Sequence, residues 1–119
     1  MRYVLGAQVA VLTYGGVVHV VQLATGGWPP YGWAPPWLAA YFVSLTLFDP
    51  LAAVLLLAAR RAGVVLAATV LVTDAAANGW ATYVLHTGGT TARVAQAVIT
   101  LLAVGALVTA PWLWRSGGR

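Results

Sequence analysis

The chain reads as an all-α integral membrane protein, a bundle of four transmembrane helices joined by short loops with both termini on the cytoplasmic side. Three observations lead there. Of its 119 residues, 61% are hydrophobic and only 7% charged, against about 25% charged in an average protein. Its mean hydropathy is +0.87. Four apolar runs, each about as long as a bilayer core requires, are separated by short polar or Pro/Gly-rich stretches.

The runs cover residues 3–24, 37–59, 63–85 and 92–114. At 1.5 Å per residue, about 22 residues span a hydrocarbon core of about 30 Å. Nothing alternates at period two, and a barrel strand needs only about 10 residues, so strands are not expected. Residues 1–119 therefore form one transmembrane domain.

The connections agree. Residues 25–36, TGGWPPYGWAPP, cannot continue a helix. Arg60 and Arg61 are expected to make a tight basic turn, residues 86–91 (HTGGTT) a polar turn, and RSGGR a short tail. With the N-terminus inside, Arg2, Arg60, Arg61, Arg115 and Arg119 are cytoplasmic and only Arg93 is outside, the bias that topology follows. Trp28, Tyr31, Trp33 and Trp37 then belong to the outer interface, and Trp112 and Trp114 to the inner one. The first run is not read as a signal peptide, because no small-x-small site closes it and it carries polar residues at helical spacing.

Composition removes several functions. There is no Cys, so no disulfide, thiol relay or cysteine metal site. Without Lys there is no retinal-type Schiff base. The pI near 10.1 does not indicate nucleic acid, because the six Arg form no stripe. There is no Walker loop and no dinucleotide fingerprint, and no cofactor is expected. Ser44 and Ser116 are poorly placed for a Ser–His–Asp hydrolase. His19, Asp49 and Asp74 lack a diagnostic metal spacing, and no metal is expected. The Ala, Val, Gly and Arg bias without Lys suggests a bacterial source, hence the plasma membrane.

The two acidic residues of the chain, Asp49 and Asp74, both fall inside apolar runs. Such a carboxyl costs about 2.5–3.5 kcal/mol at mid-bilayer on the mildest scale, and intramembrane acids are by default functional. Both lie about equally far from the Arg60–Arg61 turn, roughly 19 Å along their helices, so antiparallel neighbours could bring them together. Two close carboxylates in low dielectric cannot both stay ionised: one holds a proton, or a cation sits between them.

Other polar groups point to the same depth. Asn78 is one turn from Asp74 on the same face. Gln8, Gly15, His19 and Gln22 share a stripe of the first helix. Thr46 lies a turn outside Asp49, and Gln96 and Thr100 share a face of the fourth helix. Taken singly, Gln8, Gln96 and Thr100 are as well explained by helix-to-helix hydrogen bonding, and His86 by solvation. Pro50 either kinks its helix or frees a carbonyl toward the pocket. The candidate catalytic residues are Asp49, Asp74 and His19. The candidate ligand-binding residues are Asn78, Thr46, Gln22, Trp80, Thr100 and Gln96.

The His19 region, LFDPLAAVLL around Asp49 and TDAAANGW with Asp74, Asn78 and Trp80 resemble the EXPERA group of emopamil-binding and sterol isomerase-like membrane proteins. The likeness covers the first three helices loosely, with Asp standing where that group has Glu. It implies an intramembrane acidic cavity that binds lipophilic amines or sterols. The expected partners are thus the bilayer and a lipophilic small molecule, with isomerase-type proton shuttling as the chemistry and a homo-oligomer as an option. A proton- or cation-coupled small transporter and an accessory subunit of a larger membrane complex are the alternatives.

Overall fold

The computed structural model describes residues 2–26, 30–86 and 88–117. Four helices make up nearly all of it: α1 (Arg2–Thr25), α2 (Pro36–Ala58), α3 (Arg60–Tyr83) and α4 (Gly89–Gly117). Each is long and apolar enough to cross a membrane. The long axis of the molecule, 42 Å, matches a bilayer with its headgroup regions, about 40–45 Å. Of the aromatic and arginine residues used for orientation, Trp28, Arg119 and the Arg2 side chain lie outside the description. So does Thr87 of the third connection.

The ends of the helices follow from local chemistry. Pro35 is extended (φ −57°, ψ 153°) and Pro36 opens α2, where a missing N–H costs nothing and the ring presets φ. Gly88 and Gly89 take positive φ at the start of α4, which their lack of a Cβ permits. Pro50 and Pro111 sit inside α2 and α4 without ending them, so α4 runs on past residue 114 and takes up Arg115 and Ser116.

The second turn departs from expectation. Arg60 and Arg61 are the first residues of α3, and Ala59 alone (φ −145°, ψ 79°) separates it from α2. So short a turn forces the helices together. A Cβ on Gly63 would strike the backbone of Leu55 and Leu56. With the turn at Ala59, Asp49 lies ten residues before it and Asp74 fifteen after it. The two acids are therefore not level, and Asp74 sits about 7 Å further from the turn along the bundle axis.

Neighbours in sequence are neighbours in space: α1 packs on α2, α2 on α3 and α3 on α4, whereas α1 and α4 barely touch. The core between them holds Leu12, Leu38, Phe42, Leu45, Leu56, Val64, Leu71 and Leu113. Leu47, Leu57 and Leu101 point away from it and are 63–73% exposed, as side chains facing lipid would be. The Ala59 turn and the end of α4 lie together. Arg60 donates to the Ser116 hydroxyl (2.9 Å), and Arg61 donates to the Trp114 carbonyl (3.1 Å) while stacking over its ring.

Candidate functional site

Because α1 and α4 close poorly on each other, a cavity of about 620 Å³ lies between them. At the end nearer the Ala59 turn the seam is tied by Gln8, which donates to the Thr109 hydroxyl (3.2 Å). From there it extends toward the α1–α2 loop as far as Gln22, and its wall includes the exposed Tyr14 of α1 and Val98 of α4. Most of the wall is aliphatic, including Val11, Val18, Leu71, Ile99 and Leu102. Its polar part is His19 and Gln22 from α1, Asp49 from α2, and Asp74 and Asn78 from α3.

Asp49 is the one α2 residue in the wall, and it is 3% exposed. It reaches the cavity past Gly15 of α1, where a Cβ would stand 2.6 Å from its Oδ2. The next residue, Gly16, packs flat on the Pro50 ring, its virtual Cβ 3.0 Å from Pro50 Cδ. Gly15–Gly16 and Asp49–Pro50 thus form a close crossing, and the absent side chain at Gly15 is the window through which the carboxyl faces the cavity.

His19 stands over this window. Its Nε2 is 3.8 Å from Asp49 Oδ2, and its ring stacks on Phe42 (centroids 6.3 Å apart, interplanar angle 20°). On its other side Nδ1 is 3.3 Å from the Tyr31 hydroxyl, which donates to Gln22 Oε1 at 3.0 Å. Tyr31 belongs to the α1–α2 loop and adopts a positive φ of 53°, uncommon for a non-glycine residue. Packing of its ring against Phe42 and Trp33 holds it there. Burial, and secondarily the Asp74 carboxylate, push the Tyr31 phenol above its ordinary value, so it stays a neutral O–H group.

Asp74 has its own partner. Asn78, one turn on, donates from Nδ2 to Asp74 Oδ1 and to the Asp74 backbone carbonyl. Close by, the Tyr41 hydroxyl bonds the Thr73 hydroxyl across α2 and α3 at 2.7 Å. Among the described residues no arginine lines the cavity, and His19 is the one cationisable side chain in the described wall. Among the described residues, no cluster of three or more His, Asp or Glu side chains is arranged to hold a metal ion.

Five of the nine candidate residues, His19, Gln22, Asp49, Asp74 and Asn78, line the cavity. The other four lie elsewhere. Trp80 packs edge-on against Trp37 (5.2 Å). Gln96 is buried between α3 and α4, donating to the Ala75 carbonyl at 2.7 Å. Its Oε1 has no partner among the described residues. Thr100 is exposed and bonds Gln96 and its carbonyl. The Thr46 hydroxyl is buried without a partner among the described residues, next to the carbonyl that Pro50 leaves without its helical donor. Sequence reasoning missed Tyr31, placing it only at the interface, and it read Gly15 as one member of a stripe. Loop contacts carry no periodic signal, and a glycine declares nothing until its neighbour is known.

Comparison with protein-family models, curated proteins and solved structures finds no match to this chain. The chain is a multi-pass, all-α membrane bundle with an acidic cavity between its first and last helices.

Proposed function

We propose that this protein takes a lipophilic small molecule from the bilayer through the α1–α4 opening and holds its polar end against Asp49, Asp74 and His19. The single observation behind this is that both acids of the chain line one mostly aliphatic cavity between α1 and α4. Apolar walls with a few convergent polar groups are what ligand sites are made of. The volume, about 620 Å³, lies within the usual range of about 300–1,000 Å³.

The chemistry such a site suits is proton shuttling on the bound molecule. One protonated carboxyl gives a proton to one alkene carbon, leaving the other cationic, and the second carboxylate or His19 removes a proton from the carbon on the far side of that cation. The double bond moves and the proton count is unchanged. Separate environments for the two acids, His19 beside Asp49 and Asn78 on Asp74, suit different roles for each. The likeness to the EXPERA group rests on the quoted residues and points to the same chemistry. The plasma membrane as location and a homo-oligomeric state belong to this proposal too.

A second reading, a proton- or cation-coupled transporter, draws on the asymmetry of the cavity. It is closed toward Ala59 by the Gln8–Thr109 tie and by Leu12, Ala106 and Leu113, while its polar groups lie on the side away from that closure, as one half of an alternating-access cycle would have them. The test is a thermal-shift screen of purified protein with hydrophobic amines and sterols, run beside Asp49→Asn and Asp74→Asn. Stabilisation by such a compound, lost in both variants, supports the ligand site. No stabilisation, with proton-driven flux in vesicles, replaces it with the transporter. Neither result, with a co-purifying partner, makes the chain an accessory subunit.

A further inference from the structure

His19 has two ring nitrogens with different neighbours, and hydrogen-bond accounting assigns their protons. Tyr31 has one O–H, and it points to Gln22 Oε1 at 3.0 Å, an oxygen that can only accept. The Tyr31 oxygen is therefore free to accept, and the nitrogen facing it at 3.3 Å is His19 Nδ1. For this contact to be a hydrogen bond, Nδ1 must carry a proton. A neutral imidazole has one N–H, so Nε2 then presents its lone pair to Asp49 Oδ2, 3.8 Å away.

A lone pair facing an ionised carboxylate in an aliphatic cavity is the costly arrangement, because nothing there compensates the charge. One further proton relieves it. On Nε2 it makes an imidazolium beside a carboxylate, and on Oδ2 it makes a carboxylic acid facing a neutral imidazole. The two forms differ only in which of Nε2 and Oδ2 holds that proton, and total charge is the same in both. Asp74 is the other acid in the wall, and Asn78 engages it separately.

The geometry points to Tyr31 and Gln22 as positioning residues that hold His19 in its Nδ1–H form, so that Nε2 is left to face Asp49 and one exchangeable proton rests on either of the two. The outer connection of the bundle thereby sets the protonation of a side chain inside it, through a series running Gln22, Tyr31, His19, Asp49. The inference explains why Tyr31 is kept at an unfavourable φ of 53°: backbone strain survives only where surrounding contacts impose it, and it gathers at functional sites. It also gives Gln22, an exposed residue at the cavity wall, a part as acceptor for the Tyr31 hydroxyl. The inference deepens the proposed proton chemistry at Asp49 and rests on that reading for its functional meaning. Its geometry is testable without any ligand.

The test is nitrogen NMR on ¹⁵N-histidine-labelled protein in lipid nanodiscs. His86 is replaced (His86→Gln) so that the signal comes from His19 alone. In the ligand-free protein, Nδ1 is expected to be protonated throughout the titration, with only Nε2 changing state. Tyr31→Phe keeps the ring packing but removes the acceptor, and an Nε2–H population should appear. Gln22→Leu removes the acceptor for the Tyr31 hydroxyl, which can then turn and donate to Nδ1, so the tautomer should switch to Nε2–H. A wild-type Nε2–H tautomer, or nitrogen shifts unmoved in both variants, overturns the inference. Because no ligand is present, this result stands apart from the thermal-shift screen. The screen can fail while the tautomer holds, or the reverse.

Discussion

At the scale of the residue, the site depends on a missing side chain as much as on those present. Asp49 faces the cavity because Gly15 leaves room for its carboxyl. Gly15→Ala should push that carboxyl from its position. Overpacking of this kind costs about 1–3 kcal/mol, and the expected outcome is a folded but less stable protein that no longer gains stability from compounds that stabilise the wild type. Thermal melts with and without such a compound check both halves. Asp49→Asn and Asp74→Asn ask a different question. An amide keeps the shape and hydrogen-bonding capacity of a neutral carboxyl but cannot exchange a proton. Each variant should remain folded and lose turnover or coupled transport, with stability and activity measured side by side. Full activity in both would leave the pair a packing device.

At the scale of the element, the turn between α2 and α3 is the tightest constraint in the bundle. A single residue, Ala59, reverses the chain, and Gly63 meets the backbone of Leu55 and Leu56 where any Cβ would collide. Backbone atoms cannot rotate aside as a side chain can, so Gly63→Ala should open the α2–α3 hairpin and be strongly destabilising. Gly105 of α4 is the control: a Cβ there meets nothing within 4 Å, and alanine is favoured over glycine in a helix by up to about 1 kcal/mol. Gly105→Ala should be neutral or mildly stabilising. Unfolding in detergent, read by circular dichroism, should rank Gly105→Ala above wild type or equal to it, and Gly63→Ala well below both.

At the scale of the whole molecule, four crossings place the N-terminus, the Ala59 turn and the C-terminal end of α4 at one end of the bundle, where Arg60 and Arg61 bind α4. No acid of the chain lies outside the helices, so the cationic end has no internal counter-charge. The arginine bias predicts that this end is cytoplasmic, which would put the cavity in the outer half. A reporter fused after Gly118 should read cytoplasmic, and a tag inserted in residues 28–36 should be reached from outside by a membrane-impermeant reagent. The opposite pattern would turn the cavity toward the cytoplasm.

Hydropathy and length alone determined the four spans, their order and their approximate ends, because apolar content in a run of about 20 residues is a local property and the bilayer allows little else. That Asp49, Asp74, His19 and Asn78 stand apart from the apolar runs around them was legible for a related reason: a costly group in an apolar run declares itself without knowledge of its neighbours. What only the tertiary structure decided is which polar groups meet. Helical periodicity says which residues share a face, not which helix that face meets. Gln96 and Thr100 share a face as expected, yet it turns to Ala75 of α3. The turn at Ala59 offset two acids that counting had placed level. Gly15 became a window and Tyr31 a partner of His19 only once α1, α2 and their loop were packed together. The cavity exists because the sequential hairpins pack well while α1 and α4, at the two ends of the series, do not close. That is a property of the assembled bundle, and no single span contains it.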